Sequence, residues 1–144
     1  MMINRLMINI DGGSRGNPGP AAVGVVIKTE NNQLIESISK FIGITTNNEA
    51  EYQALIAALE YLSQYKEKLN LTENILIDFY IDSKLIVNQV NGFFKVKNSR
   101  IRNFIYKIRE LEIGIPGKIV YQLIPREKNS QADLLVNQAL DNLS

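Results

Sequence analysis

Apolar positions in the first 45 residues fall in short runs, without helical spacing. Leu6-Met7-Ile8-Asn9-Ile10-Asp11 is the first run, and the stretch from Gly12 to Pro20 after it is rich in turn formers. Ala22 to Lys28 is a second run, dominated by Val and Ile, and Gln33 to Ile42 a third, with the hairpin signal Asn31-Asn32 between them. These predict three strands in a β-meander. From Thr46 to about Tyr65 the pattern changes to a helix rich in Ala and Leu. Ile75 to Ile81 is almost continuously apolar, the mark of a strand buried on both faces. Residues 83–91 predict a short helix ending near Gly92. Asn98 to Glu112 predicts an amphipathic helix with Ile101, Phe104, Ile105, Ile108 and Leu111 on one face. Lys118 to Ile124 predicts a last strand and Ser130 to Leu143 a last helix.

The predicted order is βββαβααβα, an α/β class. With no repeat, linker or low-complexity tract, and 144 residues in all, one domain over 1–144 is expected. A helix between the meander and the strand at 75–81 permits a right-handed crossover, which lays that strand parallel to the first in the middle of the sheet. In open α/β sheets ligands bind beyond the carboxyl ends of the strands. The first strand is expected to end at Asp11, and the strand at 75–81 is followed at once by Asp82. Two carboxylates are thus expected at one crevice.

Each acid also has a bland reading. Asp11 before Gly12-Gly13 suits a turn, and Asp82 suits a helix N-cap. Asp78, four residues earlier on the same strand, lies ~13 Å from Asp82 at ~3.3 Å per residue, so it belongs to the other end of the sheet. Thr46-x-x-Glu49 fits a capping box, which gives Glu49 a structural role. Glu51 has none: at 100° per residue it falls within the stripe of Leu55, Ala58, Leu59 and Leu62. An unpaired carboxylate there costs several kcal/mol unless it is protonated or metal-bound. Ser130-x-x-Asp133 fits a second capping box, yet Asp133 shares a face with Val136, Leu140 and Leu143. A single divalent metal site accounts for Asp11, Glu51, Asp82 and Asp133 better than four separate caps.

Composition narrows the metal. The chain has no Cys and no His, so thiolate and imidazole chemistry are excluded, and oxygen ligands point to Mg²⁺, Mn²⁺ or Ca²⁺. Its 45% hydrophobic and 22% charged content is that of a soluble domain. No run approaches a membrane span and no signal peptide is evident, so a cytoplasmic location without membrane contact is expected. Net charge is +1, unevenly placed: residues 1–94 carry −3 and residues 95–144 carry +4. Lys95 to Arg109 holds six basic residues and no acid. That run reads either as a solvated helix face or as a contact for a polyanion.

The motifs resemble those of ribonuclease H type 1. Asp11-Gly12-Gly13-Ser14-Arg15-Gly16-Asn17-Pro18-Gly19-Pro20 is similar to its first-strand signature. Thr45-Thr46-Asn47-Asn48-Glu49-Ala50-Glu51 is similar to its helix-start signature, whose later Glu is the catalytic one. Ile81-Asp82-Ser83 and Asn129-Ser130-Gln131-Ala132-Asp133 match its third and fourth acidic motifs. The resemblance covers nearly the whole chain, in order, and implies a five-stranded mixed sheet with helices on both faces.

It also implies an endonuclease that cuts the RNA strand of RNA–DNA hybrids, leaving 5′-phosphate and 3′-hydroxyl ends. Two Mg²⁺ ions, or Mn²⁺, would be held by Asp11, Glu51, Asp82 and Asp133, with Asp11 bridging both. Gly12 and Gly13 would let a sugar edge approach, or else form a tight turn needing positive φ. Asn17, Thr46 and Asn48 match hybrid-contacting positions. Asn98 matches a phosphate-pocket residue, and Lys97, Arg100 and Arg102 fit phosphate contacts. The chain departs from the family in lacking the His on the loop before the last helix. Arg126 stands where some short-loop relatives place an Arg, which adds it to the catalytic candidates, and Glu127 is a further acid near the metals. Lys84 follows Ser83 where Gln is common. The basic protrusion with its Trp residues is missing: Gly92-Phe93-Phe94-Lys95-Val96-Lys97-Asn98 passes straight into the next helix. A shorter grip on the hybrid is expected. Double-stranded RNA stays open as a substrate, a monomer is expected, and the alternatives are a hybrid- or duplex-binding module without catalysis and a nuclease of the same fold acting on another duplex.

Overall fold

The computed structural model describes residues 3–143; Met1, Met2 and Ser144 of the expected domain lie outside them. β1 (Arg5–Ser14), β2 (Gly19–Thr29) and β3 (Leu34–Thr45) form the expected antiparallel meander. α1 (Asn47–Tyr65) crosses over to β4 (Leu76–Ile81), which runs parallel to β1. α2 (Lys84–Val90) and α3 (Ser99–Ile113) lead to β5 (Lys118–Leu123), parallel to β4. A single 3₁₀ turn, Arg126–Lys128, precedes α4 (Ser130–Asp141). The sheet order is β3-β2-β1-β4-β5, so the sheet is mixed and β1 lies at its centre.

The order of elements is the expected one, but the ends of β1 and β2 are not. β1 continues past Asp11 because Gly12, Gly13 and Ser14 go on pairing with Val23, Ala22 and Ala21 of β2. Asp11 is thus a strand residue facing Gly24, and the expected turn over Gly12–Pro20 shrinks to the four residues between the strands.

Both faces of the sheet are covered. Leu6, Ile8 and Ile10 of β1, Val23, Val25 and Ile27 of β2, and Ile77, Phe79 and Ile81 of β4 form the main core with Tyr52, Leu55, Leu59 and Leu62 of α1. α3 backs α1, with the Tyr52 and Phe104 rings stacked at 5.8 Å. On the opposite face α4 seats Val136 and Leu140 against Ala22. A strand sandwiched in this way has no solvent side, which is why β2 is buried at every position from Ala21 to Ile27.

Two glycines set how closely the helices approach. A Cβ on Gly12 would stand 2.2 Å from the Ala50 carbonyl and 2.5 Å from the Glu51 nitrogen. A Cβ on Gly24 would stand 2.2 Å from the Ala132 oxygen. The first turns of α1 and α4 therefore press on opposite faces of the sheet, on either side of Asp11. The far end of the sheet is pinned by buried Asp78, which pairs with Arg5 at 2.5 Å and accepts from Gln122 at 3.0 Å. That keeps Asp78 out of the crevice, as expected.

Candidate active site

Register brings the first two acids together. The last β1–β4 pair is Asn9 with Tyr80, and two residues further along the chain from each stand Asp11, still on β1, and Asp82, just past the end of β4. α1 supplies the third. Thr46 is its N-cap, accepting from the Glu49 backbone nitrogen at 3.2 Å. Glu51 then lies one turn in, half-buried, beside the backbone of Gly12. Asp11, Glu51 and Asp82 each offer an oxygen within 4.8 Å of the others.

At this spacing Asp11 and Glu51 resist ionisation. Burial pushes Asp11 up to about 7, with the charges of Asp82 and Asp133 adding to it. Burial likewise pushes Glu51 up to about 8, reinforced by Asp82 and Asp11 and eased by Arg126 and the Ser83 hydroxyl. Ser83 also caps α2, accepting from the Ile86 nitrogen at 3.3 Å. Hard carboxylate oxygens crowded together, with Asp11 and Glu51 lining an open cleft of about 460 Å³, are the donor set that suits a divalent cation.

Asp133 shares the cleft side of α4 with Val136 and Leu140, as the sequence pattern predicts, but at the edge of the apolar row. Ala132, Val136 and Leu140 form the buried row of α4, and Asp133, one 100° step round, is exposed. It lines the cleft and its charge helps to raise Asp11, but it lies outside the three-acid group. The expected capping box at Ser130 is also absent: Asn129 is the N-cap, and its side chain makes no capping bond. At Glu49 only half of the capping box forms. Its carboxylate lies at 2.6 Å from the Arg100 guanidinium and does not line the cleft. Arg126 lines the cleft from the 3₁₀ turn, whereas Glu127 beside it is exposed and does not. Lys84 is exposed at the start of α2.

The nucleic-acid candidates divide in two. Gly13 and Asn48 line the cleft, with Ser14, Arg15, Asn47 and Asn137 around them. Gly12 touches it by backbone only, since its bare Cα makes room for α1 rather than for a ligand. Neither Gly12 nor Gly13 has a positive φ, so the tight-turn reading fails. Asn17 accepts from the Asn47 nitrogen at 3.0 Å, and Asn47 accepts from the Ser14 nitrogen at 2.9 Å. Asn17 and Thr46 thereby fasten the β1–β2 turn and the start of α1. The second group lies around the start of α3, outside the cleft lining. Lys97 and Arg102 are exposed there. Asn98 caps α3, accepting from the Arg100 and Ile101 nitrogens at 2.9 and 3.2 Å. Of the basic run, Arg100 is held by Glu49, and Arg109 donates to the Val90 carbonyl and pairs with Glu112 at 3.0 Å. No helix intervenes over residues 91–98, and Phe93 is 74% exposed.

Sequence reasoning missed two residues that build this site. Gly24 carried a signal, a lone glycine inside a Val-rich strand, which marks close backbone approach. Asn129 opens the fourth acidic motif, but nothing in the sequence marks its role, because an Asn before a helix reads as a cap. It is buried and donates to Asp82 at 2.9 Å and to the Ile10 carbonyl at 2.8 Å.

Residues 9–139 match a family described as reverse transcriptase-like. The chain is similar to LC11-RNase H1, isolated from compost, at 45% identity and a TM-score of 0.89, covering 97% of this chain and 98% of that one. A second structure, that protein in complex with an RNA/DNA hybrid, matches at 44% identity and a TM-score of 0.88, over 95% and 97%. Ribonuclease H of Ruthia magnifica is 32% identical over 99% of each chain. A bifunctional protein of Mycobacterium tuberculosis is 40% identical over 95% of this chain, but the match spans only 36% of that protein's length. A sheet of order β3-β2-β1-β4-β5 with acids at its central strands, matched over nearly its full length by these relatives, places the chain in the ribonuclease H type 1 family.

Proposed function

We propose that this chain is an endoribonuclease that hydrolyses the RNA strand of RNA–DNA hybrids, leaving 5′-phosphate and 3′-hydroxyl ends. The observation that carries this reading is the group of Asp11, Glu51 and Asp82, with oxygens within 4.8 Å of one another and with Asp11 and Glu51 lining an open cleft, in a chain of this family. The similar protein solved with an RNA/DNA hybrid supports the substrate class.

The donor set fits two Mg²⁺ or Mn²⁺ ions: oxygen ligands only, more negative charge than the site relieves internally, and room for water. Asp11, Glu51 and Asp82 would hold them, with Asp133 as the outer ligand on the α4 side. Such ions, when bound, activate water and stabilise the leaving oxygen of an in-line displacement.

The other residues receive the strand. Arg126 offers a planar fork of N–H donors and no acceptor, so it orients a phosphate and does not act as a base. Gly13 leaves the cleft wall bare where a ribose edge would pass, and Asn48 offers both donor and acceptor at the mouth. Lys97 and Arg102 lie outside the cleft lining, where they would meet phosphates of the partner strand. The deciding experiment incubates hybrid, double-stranded RNA and double-stranded DNA side by side with Mg²⁺ or Mn²⁺ and maps the product ends. RNA cleavage confined to the hybrid, with 5′-phosphate ends, is expected; cleavage of DNA duplex alone would overturn the reading.

A further inference from the structure

Asn129 is 1% exposed, and every polar atom of its amide is engaged. Its nitrogen donates to the Ile10 carbonyl at 2.8 Å and to the Asp82 carboxylate at 2.9 Å. Its oxygen accepts from the Asn9 side-chain nitrogen at 3.0 Å. The chemistry of the neighbours fixes this orientation. A carbonyl and a carboxylate only accept, so the amide must turn its NH₂ to them. Its oxygen then faces Asn9, and Asn9 must supply a donor.

The chain of bonds is long-range in sequence and short in space. It starts on β1 two residues before Asp11, passes through the residue before α4, and ends on the acid that follows β4. The bond to the Ile10 carbonyl anchors the same amide to the backbone adjoining Asp11. We infer that Asn9 and Asn129 form a polarity relay that positions the Asp82 carboxylate for cation binding: Asn9 sets which way the Asn129 amide points, and Asn129 sets where the Asp82 oxygen lies. This inference rests on the proposed metal-dependent reading of the site. Neither asparagine belongs to the three-acid group or lines the cleft, so both are positioning residues.

The relay has a consequence opposite in sign to simple charge counting. Asn9→Asp keeps the shape of the side chain but replaces a donor by an acceptor. The Asn129 amide must then either face two oxygens with one or flip and turn its oxygen toward Asp82 and Ile10. Charge counting holds that an added carboxylate near the acids tightens cation binding. The relay holds that binding weakens, because outer hydrogen-bond partners of a metal ligand are each worth about 10–100-fold in metal affinity or activity.

The test measures Mn²⁺ binding by titration calorimetry on the wild-type protein, Asn9→Asp and Asn9→Ala, with circular dichroism in chelator as the check on folding. Weakening of at least about tenfold in Asn9→Asp, with a smaller loss in Asn9→Ala, is expected. Hybrid cleavage at saturating Mn²⁺ should recover most of its rate in both, since the acids themselves remain. Affinity in Asn9→Asp equal to or tighter than wild type overturns the relay while leaving the proposed function in place. If Asn9→Asp does not fold, Asn9→Ala decides: weaker Mn²⁺ binding supports the relay and unchanged binding overturns it. A wild-type protein that neither binds Mn²⁺ nor cuts hybrid overturns the functional reading and the relay together.

Discussion

Glu49 and Glu51 lie two residues apart on one helix turn, and their surroundings assign them opposite work. Glu51 lines the cleft with Asp11 and stands close to Asp82, and its carboxyl is pushed up to about 8. Glu49 faces Arg100, whose side chain is 72% exposed, and an ion pair so open to solvent contributes little, ~0–1 kcal/mol. Glu51→Gln keeps the shape of the side chain and removes a charge the site needs, so turnover on hybrid should fall by at least about 100-fold. Its metal-free stability should hold or rise, since a crowded charge is gone. Glu49→Gln should leave turnover near normal and shift stability by no more than ~1 kcal/mol, because the Thr46 cap on the Glu49 nitrogen is untouched. Turnover and metal-free melting of both variants check this, and an inactive Glu49→Gln beside an active Glu51→Gln would reverse the assignment. The distinction between the two acids was legible in sequence because helical periodicity separates them. The face of Asp133 was legible too, since it lines the cleft with Val136 and Leu140, but its exposure was not: that Ala132 and not the acid presses on the sheet depends on how α4 is rotated over Gly24, a tertiary fact.

Element packing explains how far the sequence could be read. Each of the nine expected strands and helices forms, because runs of Val and Ile and the stripe of α3 encode burial directly. The unread part is where backbones touch. β1 was expected to stop at Asp11, since Gly12-Gly13 reads as a turn; pairing with β2 carries it on to Ser14, and Gly12 serves the approach of α1 instead. Gly24 does the same for α4. Gly24→Ala would drive a methyl to within 2.2 Å of the Ala132 oxygen, and neither backbone can yield cheaply. A loss of at least about 2 kcal/mol in stability is expected, with lower turnover because Asp133 moves with α4; chemical denaturation read with cleavage assays would show both. The segment entering α3 makes a separate prediction. Lys97 and Arg102 are exposed, whereas Arg100 is engaged by Glu49. Hybrid binding should weaken with salt, and Lys97→Ala or Arg102→Ala should each reduce the log–log salt slope by about 1. Arg100→Ala should change it less. Equal slopes in all three variants would show that the exposed cations do not meet phosphate.

The molecule as a whole carries one acidic focus on a nearly neutral surface, with a net charge of +1, so the pH response of its stability should be dominated by that focus. Asp11 and Glu51 sit above their ordinary values in the folded state, at about 7 and about 8. The unfolded chain releases these two protons near ~4, as ordinary carboxyls do. Over the interval between, the folded protein binds more protons than the unfolded one, so stability falls as pH rises. The contribution of the two groups is complete below about pH 4 and is lost by about pH 8. Melting temperature in chelator should therefore decline between pH 5.5 and 8.5. The double variant Asp11→Asn with Glu51→Gln should flatten most of that decline, since neither side chain titrates. Millimolar Mg²⁺ or Mn²⁺ should raise the melting temperature of the wild type, because a ligand that binds only the folded state stabilises it. The rise should be larger at pH 8 than at pH 6, where protons compete for the same oxygens. In Asp11→Asn the metal-induced rise should disappear. A decline with pH that persists undiminished in the double variant would place the titrating groups outside the cleft, and an undiminished metal response in Asp11→Asn would place the cation elsewhere.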